Sequence, residues 1–246
     1  PLITAQTLRH LMGTHGEGNA AATVLTAEVA DPAGYGRVIR GEHGTVTSIV
    51  EQKDATTREL AVREINTGSY CFKAKDLFWA LSRLKNENVQ KEYYLTDTVS
   101  ILKNRGRSVI ACMTEDPSEV IGINTRMDLA EAEKVLQQRT MRRLMEEGVT
   151  IIDPPTTFVD PVASIGRDTV LYPFTVIKGR SVIGKKCHIG PHANLADVTV
   201  GNRVLVKHSE ILKSRLHDQS EIAHSVVSES TIPRNKSIGP FQYIGA

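Results

Sequence analysis

The sequence predicts an α/β domain followed by a parallel β-helix, and two patterns carry that prediction. Between Val159 and Leu195 an aliphatic residue recurs at every sixth position, and a small residue follows each of the first six by four positions. A period of six matches neither the 3.6 residues of a helical turn nor the alternation of a strand, and it is typical of the coils of a parallel β-helix. Before this repeat, short apolar segments alternate with helical patterns, as in α/β sheets. The repeating aliphatic residues are Val159, Ile165, Leu171, Ile177, Ile183, Ile189 and Leu195, and the small residues are Ala163, Thr169, Thr175, Ser181, Cys187 and Ala193.

The first part of the chain reads as five strands connected by helices and turns. Thr4 is a candidate N-cap for a first helix, because its hydroxyl can accept a free N–H of the first turn. We expect loops at 13–19 and 54–59, and a hairpin whose turn lies at 41–44. The strands are predicted at 20–28, 38–40, 45–51, 69–73 and 108–113, and further helices at 76–84, at 97–102 and from 122 to about 147.

The hexapeptide pattern continues beyond Leu195 with a change of phase. We expect the stretch 216–222 to be a loop that bulges from one corner. The long helix should present Leu129, Ala132, Val135, Leu136 and Leu144 on one side. Three parts follow: the C-terminal part of an α/β domain at 1–126, a linking helix at 127–150 and the first β-helix coils at 151–246. The inward positions predicted after Leu195 are Val200, Val206, Leu212, Val226, Ile232, Ile238 and Ile244.

Composition excludes several classes of function. The net charge is +2 and aromatic residues make up 5% of the chain, so neither a strong field for nucleic acid nor a base-stacking platform is expected. No apolar run approaches the roughly 20 residues that a membrane span requires. Three cysteines without a CxxC motif indicate a reducing cytosol rather than a disulfide framework, and we therefore expect a cytoplasmic protein.

Three positions in the α/β part suit the binding of a sugar. The glycines of Gly34-Tyr35-Gly36 allow backbone to approach a ligand, although a turn also uses such a pair. Glu51 ends an apolar strand, where it either accepts sugar hydroxyls or is simply solvated. The amide of Asn66 both donates and accepts hydrogen bonds, which suits hydroxyls and an N-acetyl group, and an Asx turn is the alternative.

Two further segments carry polar side chains at helix starts. Tyr94 and Thr96 combine a ring with a hydroxyl, as a sugar pocket does, but Thr96 or Asp97 also suits a helix N-cap. Asn124 precedes the long helix, where its amide oxygen either binds Mg²⁺ or caps the helix. The histidines of the repeat region show no trustworthy metal-ligand spacing: His188, His192, His208, His217 and His224.

These motifs together resemble one family. In order, the chain contains GYGR at 34–37, IVEQKDA at 49–55, EINTG at 64–68, EYYLTD at 92–97 and GIN at 122–124. A long helix and hexapeptide repeats follow. The set is similar to the bacterial bifunctional N-acetylglucosamine-1-phosphate uridyltransferase / glucosamine-1-phosphate acetyltransferases, over nearly the whole chain.

The resemblance implies a partial Rossmann-like nucleotidyltransferase domain followed by a left-handed parallel β-helix, assembled as a homotrimer. It implies that UTP and GlcNAc-1-phosphate react to give UDP-GlcNAc and pyrophosphate, with Mg²⁺ as cofactor, for the synthesis of peptidoglycan and lipopolysaccharide precursors. No catalytic side chain is implied within this chain. By motif, the residues that bind substrate are Gly36, Glu51, Asn66, Tyr94, Thr96 and Asn124, and Asn124 also binds the metal.

The chain departs from the family at both ends. It begins with Pro1 and stops within the hexapeptide rhythm, so we expect a piece of a longer protein, inactive alone. The family's nucleotide loop lies upstream of Pro1, and its acetyl-CoA contacts lie beyond Ala246. Three alternatives remain open: another sugar-1-phosphate nucleotidyltransferase, a non-catalytic trimeric scaffold that binds a sugar nucleotide, and a hexapeptide acyltransferase.

Overall fold

The computed structural model describes residues 2–245, apart from the side chain of His43, so Pro1 and Ala246 lie outside it. The chain divides into two compact units, Pro1–Asp128 and Leu129–Ala246. The fold class expected from the sequence, an α/β domain followed by a parallel β-helix, is confirmed. Within residues 2–245 there is no helix that is both long and apolar enough to cross a membrane.

The first unit contains a mixed sheet with the strand order β3-β2-β4-β1-β5. Its central strand β1 pairs antiparallel with β4 and parallel with β5. β1 is buried along nearly its whole length, as its run of apolar and small residues predicts for a strand covered on both faces. The strands are β1 Ala22–Glu28, β2 Arg37–Arg40, β3 Val46–Val50, β4 Glu64–Phe72 and β5 Val109–Met113.

The helices of this unit correct the sequence-based assignment at three points. The first helix continues to Glu17, into the predicted loop at 13–19, because Gly13 and Gly16 do not outweigh the cap at its start, where Thr4 Oγ1 accepts from Thr7 N at 3.2 Å. The predicted loop at 54–59 leads into a short helix with a Thr56–Glu59 capping box. β4 begins at Glu64, five residues earlier than predicted. The helices are α1 Ala5–Glu17, α2 Thr57–Leu60, α3 Ala74–Leu81 and α4 Asp97–Asn104, with 3₁₀ turns at Glu42–Gly44 and Pro117–Val120.

The second unit is a β-helix whose three faces are parallel sheets. One face contains β7 Phe158–Val159, β10 Val176–Lys178, β13 Asn194–Ala196, β16 Glu210–Leu212, β19 Val226–Ser228 and β22 Tyr243–Ile244. The next contains β8 Ser164–Ile165, β11 Val182–Ile183, β14 Thr199–Val200, β17 Arg215–Leu216 and β20 Thr231–Ile232. The third contains β6 Thr150–Ile151, β9 Val170–Leu171, β12 His188–Ile189, β15 Leu205–Lys207, β18 Glu221–Ala223 and β21 Ser237–Ile238.

All thirteen repeat residues between Val159 and Leu195 are buried, as predicted. Beyond Leu195 the coil shortens: Ile177 pairs with Leu195, 18 residues later, whereas Leu195 pairs with Ile211, 16 residues later. Each 16-residue coil then has two faces of five residues and one face of six. Ile211 and Val227 therefore point inward, and the predicted Leu212 and Val226 are wrong by one position.

The stretch 216–222 is also not a loop that bulges from a corner. Leu216 and Ile222 are buried core residues on the regular strands β17 and β18. Apparent irregularity in the sequence came from the five-residue faces, which break the spacing of six without breaking the coil.

The long helix α5 spans Arg126–Glu146, beginning four residues after the predicted start. Met141 and Leu144 join the core cluster of the β-helix. Leu129 and Leu136, predicted to line the apolar side, are exposed. The three-part division at 126/127 and 150/151 stays a proposal about domain boundaries. A 3₁₀ turn at Pro154–Thr156 precedes the second coil strand, β7.

Candidate functional site

The hairpin of β2 and β3 places Gly36 beside Glu51. Arg37 pairs with Val50 in the antiparallel ladder, so the residues just outside each strand face one another. A Cβ atom at Gly36 would lie 3.3 Å from both carboxylate oxygens of Glu51 and 3.2 Å from Ile49 Cγ2. Any larger residue here would have to displace the Glu51 carboxylate by a few tenths of an ångström, so the buried Gly36 lets the backbone lie directly against Glu51.

Asn66, on β4, lies beside Gly36, and Gly36, Glu51 and Asn66 together are called the wall below. The backbone N–H of Asn66 donates to Gly36 O at 2.9 Å. Just after Asn66 the pairing of β4 with β1 is interrupted, since Val24 pairs with Tyr70 but Thr26 pairs with Asn66. Gly68, in this bulge, has φ of +79°, a left-handed value that favours glycine. Bulges beside binding sites turn side chains to new directions, and this one sets the direction of Asn66.

The side chain of Asn66 is held at its oxygen. Oδ1 accepts from Tyr70 Oη at 2.8 Å and from Gly68 N at 3.1 Å. Burial raises the pKa of Tyr70 well above its usual value, so the phenol stays protonated and acts as donor. Within residues 2–245 the amide nitrogen of Asn66 has no partner, and it is the end that remains to donate to a ligand.

Thr96 contacts the carboxylate of Glu51. It occupies the N-cap position of α4, yet its hydroxyl makes no capping hydrogen bond and donates instead to Glu51 Oε1 at 3.1 Å. Thr96 is buried and Glu51 is half-buried. Thr96 is thus at the N-cap position, as the alternative expected, but it does not cap through its side chain, and one carboxylate oxygen of Glu51 is fixed by the protein.

Tyr94 shares a cavity with Glu51, and the residues that line this cavity do not include Gly36, Asn66 or Thr96. Tyr94 and Glu51 line this cavity of about 310 Å³ together with Asp54, Asp97 and Ser100 among others. Tyr94 Oη accepts from Gln90 Nε2 at 2.9 Å. Burial raises the pKa of the Asp97 carboxyl, and the nearby Asp54 raises it further. The cavity thus combines a phenol with several carboxyls, a lining that suits sugar hydroxyls.

Asn124 is exposed, and its backbone is fixed by the start of α5. Asp128 Oδ2 accepts from Asn124 N at 3.0 Å and from Thr125 N at 2.8 Å, and these bonds lower the pKa of Asp128. Among residues 2–245 no group of three or more His, Cys, Asp or Glu side chains could hold a metal ion. Mg²⁺ commonly keeps several waters and is bound through one or two carboxylates plus substrate phosphates, so the amide oxygen of Asn124 does not complete a metal site by itself.

Two tyrosines and an arginine support the wall and were not identified from the sequence. Tyr70 orients Asn66, Tyr35 contacts the segment before Asn124, and Arg37 is buried under the Gly34–Gly36 loop. Arg37 belongs to the GYGR motif, so a buried arginine next to a glycine loop was the available signal. Nothing in the local sequence indicates the contact of Tyr35, whose partner lies 87 residues away.

Comparison with known proteins decides the family. The model for nucleotidyl transferases matches residues 2–140, more than half of the chain. The chain belongs to the nucleotidyl transferase family. Residues 163–197 match the bacterial transferase hexapeptide model of six repeats, so both parts of this nucleotidyl transferase chain have recognised counterparts.

Curated relatives agree with the resemblance drawn from the motifs. The chain is 47% identical over 244 residues to "Bifunctional protein GlmU" of Geobacillus sp. (strain WCH70), covering 99% of this chain and 50% of that protein. It is 48% identical over 244 residues to the protein of the same name from Shouchella clausii (strain KSM-K16), with the same coverage. A third, from Pelotomaculum thermopropionicum (strain DSM 13744 / JCM 10971 / SI), is 49% identical over 98% of this chain and 53% of its own length. The chain spans about half the length of these relatives.

Proposed function

We propose that the first unit holds the sugar of UDP-GlcNAc in a site where UTP and GlcNAc-1-phosphate give UDP-GlcNAc and pyrophosphate. The observation that carries this proposal is the contact of Gly36 with both Glu51 and Asn66, in a chain of the nucleotidyl transferase family. The wall offers one carboxylate and one amide donor beside the buried backbone of Gly36, which is a set that recognises hydroxyls and an acetamido group.

The reaction needs positioning more than proton transfer. An oxygen of the sugar phosphate bonds to the α-phosphorus of UTP, the bond from that phosphorus to the bridging oxygen breaks, and pyrophosphate leaves. The attacking phosphate is already an anion, so no general base is required. Glu51 accepts from sugar hydroxyls, Asn66 Nδ2 donates to the sugar, and Tyr94 and Thr96 close the pocket around it. Holding the sugar in line in this way is a large part of such catalysis.

Asn124 is the residue that would hold Mg²⁺. The ion, when bound, neutralises charge on the phosphates during transfer. Asp128 and the start of α5 keep Asn124 in place for this role. The other ligands would come from the substrate phosphates, from water and, by the family resemblance, from an Asp outside this chain.

The whole protein is proposed to have a second activity, the acetylation of glucosamine-1-phosphate by acetyl-CoA. The word "Bifunctional" in the relatives' name and the hexapeptide match support it. We also propose that it is a cytoplasmic homotrimer that supplies precursors of peptidoglycan and lipopolysaccharide. The family resemblance and the hexapeptide match support this proposal. None of the histidines of this chain is assigned to the acetyl transfer.

Calorimetric titration of the chain in Mg²⁺ buffer tests the sugar site. UDP-GlcNAc should bind wild type, and Asn66→Ala should weaken this binding about tenfold or more. One hydrogen bond from an uncharged donor contributes about 1 kcal/mol, and the substitution also removes the bonds from Gly68 and Tyr70 that hold the bulge. UDP-glucose, which lacks the acetamido group, should bind more weakly than UDP-GlcNAc. Asn86→Ala, in the polar loop after α3, is the matched control and should bind as wild type does. Equal affinity of Asn66→Ala and wild type would contradict the proposed site.

A further inference from the structure

The Gly34–Gly36 loop is connected to the segment that carries Asn124 through one side chain. Tyr35 Oη accepts a hydrogen bond from Gly122 N at 2.9 Å. A Cβ atom at Gly122 would lie 3.3 Å from that hydroxyl and 3.6 Å from Asn124 Nδ2. Tyr35 therefore sits against both the backbone of Gly122 and the neighbourhood of the Asn124 amide.

The Gly34–Gly36 loop is also held by hydrogen bonds from Arg37. This arginine is 2% exposed, and its guanidinium donates to Tyr35 O and, at 3.4 Å, to Gln52 Oε1. Gln52 Oε1 also accepts from Gly34 N. Arg37 Nε is buried without a partner among the described residues. The buried guanidinium of Arg37 donates to the Tyr35 carbonyl and to Gln52. These bonds restrain the backbone of Tyr35.

We propose that Tyr35 is a positioning residue that makes Gly36 and Asn124 act as one site. Its backbone is fixed by Arg37 and continues into Gly36, and its hydroxyl fixes Gly122, two residues before Asn124. The sugar-facing loop and the phosphate-facing segment then keep a constant separation, so a ligand held by one is presented to the other. This inference rests on the proposed function only where it concerns the ligand, since the link itself is a property of the free protein.

The first test needs no ligand. Amide hydrogen exchange followed by NMR is compared between wild type and Tyr35→Phe, which keeps the ring and removes only the hydroxyl. We expect faster exchange, by about threefold or more, both at Gly122 and at Gly34 and Tyr35, because the loop and the segment loosen together. Exchange in β1 should be unchanged. A change confined to Gly122, or no change, overturns the link. Tyr172→Phe, in the second unit, removes a hydroxyl that contacts His188 and should leave these amides as they are.

The second test is a double-mutant cycle on affinity for UDP-GlcNAc at fixed Mg²⁺. Tyr35→Phe should weaken binding about three- to tenfold. Tyr35→Phe combined with Asn124→Ala should lose clearly less affinity than the two single losses multiplied together, because part of the effect of Tyr35 passes through the Asn124 segment. Additive losses indicate a merely structural role and overturn the proposal. If wild type binds no sugar nucleotide, the proposed function fails while the exchange test still decides whether the link exists.

Discussion

At the scale of single residues, the wall is built so that each polar side chain has one end fixed by the protein. Glu51 Oε1 accepts a hydrogen bond from the Thr96 hydroxyl. Asn66 Oδ1 accepts hydrogen bonds from the Tyr70 hydroxyl and from Gly68 N. The other ends are then directed before a ligand arrives. Fixing a group in advance lowers the entropy lost on binding, so this arrangement favours affinity for a small polar ligand.

Gly36 offers the sharpest residue-scale prediction. In Gly36→Ala the new methyl group would press on the Glu51 carboxylate and on Ile49, so the carboxylate must move by a few tenths of an ångström. We expect affinity for UDP-GlcNAc to fall about tenfold or more, with a melting temperature within a few degrees of wild type, because an off-position hydrogen bond loses most of its value. Titration calorimetry and thermal melting measure the two effects.

Gly13→Ala is the matched control. Gly13 lies in α1 with nothing within 4 Å of the added carbon, so alanine should leave affinity unchanged and raise helix stability slightly. If Gly36→Ala binds as tightly as Gly13→Ala, the wall does not hold the ligand. If both lose affinity together, the effect is not specific to the contact with Glu51.

The sequence identified the residues of the wall but not what orients them. Gly36, Glu51 and Asn66 stand in motifs, and the hairpin pairing that brings the first two together follows from their spacing. Tyr70 and the bulge at Gly68 were not predicted, because a strand pattern does not show where a ladder is interrupted. The contact of Tyr35 with Gly122 depends on tertiary packing over 87 residues, which local patterns do not encode.

At the scale of elements, one corner of the β-helix carries a column of stacked rings. Phe174, His192, His208, His224 and Phe241 all have positive φ at equivalent corner positions of successive coils. The rings of His208 and His224 are 4.6 Å apart and nearly parallel, and His192 lies 5.4 Å from His208. A shallow groove of about 630 Å³ runs beside the three histidines and contains Glu210. The column makes the solenoid sensitive to protonation.

His208, in the middle of the column, should make stability fall in acid. His208 is exposed, but partial desolvation lowers its pKa, and His224, His192 and Lys207 lower it further. The unfolded chain, with an ordinary histidine pKa near 6.5, then binds this proton more readily than the folded chain. Stability is therefore unaffected at pH 8, decreases as the pH falls through about 6.5, and levels off below the folded pKa.

The variant His208→Phe keeps a ring in the column and removes the titration. Its melting temperature should fall less than that of wild type between pH 8 and pH 5. All other side chains are the same in both proteins, so the difference between the two melting curves reports on His208. His217→Phe, outside the column, should follow wild type. A fall of the same size in wild type and in His208→Phe would show that the ring stack does not resist protonation.

The prediction of the β-helix succeeded where its period is constant and failed where the period changes. From Val159 to Leu195 every inward residue was identified, because the six-residue faces repeat without interruption. Beyond Leu195 two coils of 16 residues follow, and a register built on spacing of six drifted onto Leu212 and Val226. Corners absorb the lost residues, and their left-handed residues here are mostly not glycine, so the sequence gives little warning.

At the scale of the whole chain, the two units carry different kinds of evidence. Every residue proposed to bind the sugar or the metal lies in the first unit, Pro1–Asp128. The second unit is a coil built on stacked aliphatic residues, and it supports the proposal of a second activity only through its hexapeptide match. The proposed GlcNAc site therefore depends on three residues of the first unit, Gly36, Glu51 and Asn66.

The most direct test of that claim is a crystal structure of the chain with UDP-GlcNAc. We expect GlcNAc hydroxyls within about 3.2 Å of the Glu51 carboxylate. The acetamido oxygen or a hydroxyl oxygen should lie within the same distance of Asn66 Nδ2, and the Gly36 backbone should lie against the sugar. Phosphates should lie towards Asn124. A sugar bound elsewhere, for instance along the groove beside the histidine column, with the wall empty, would contradict it.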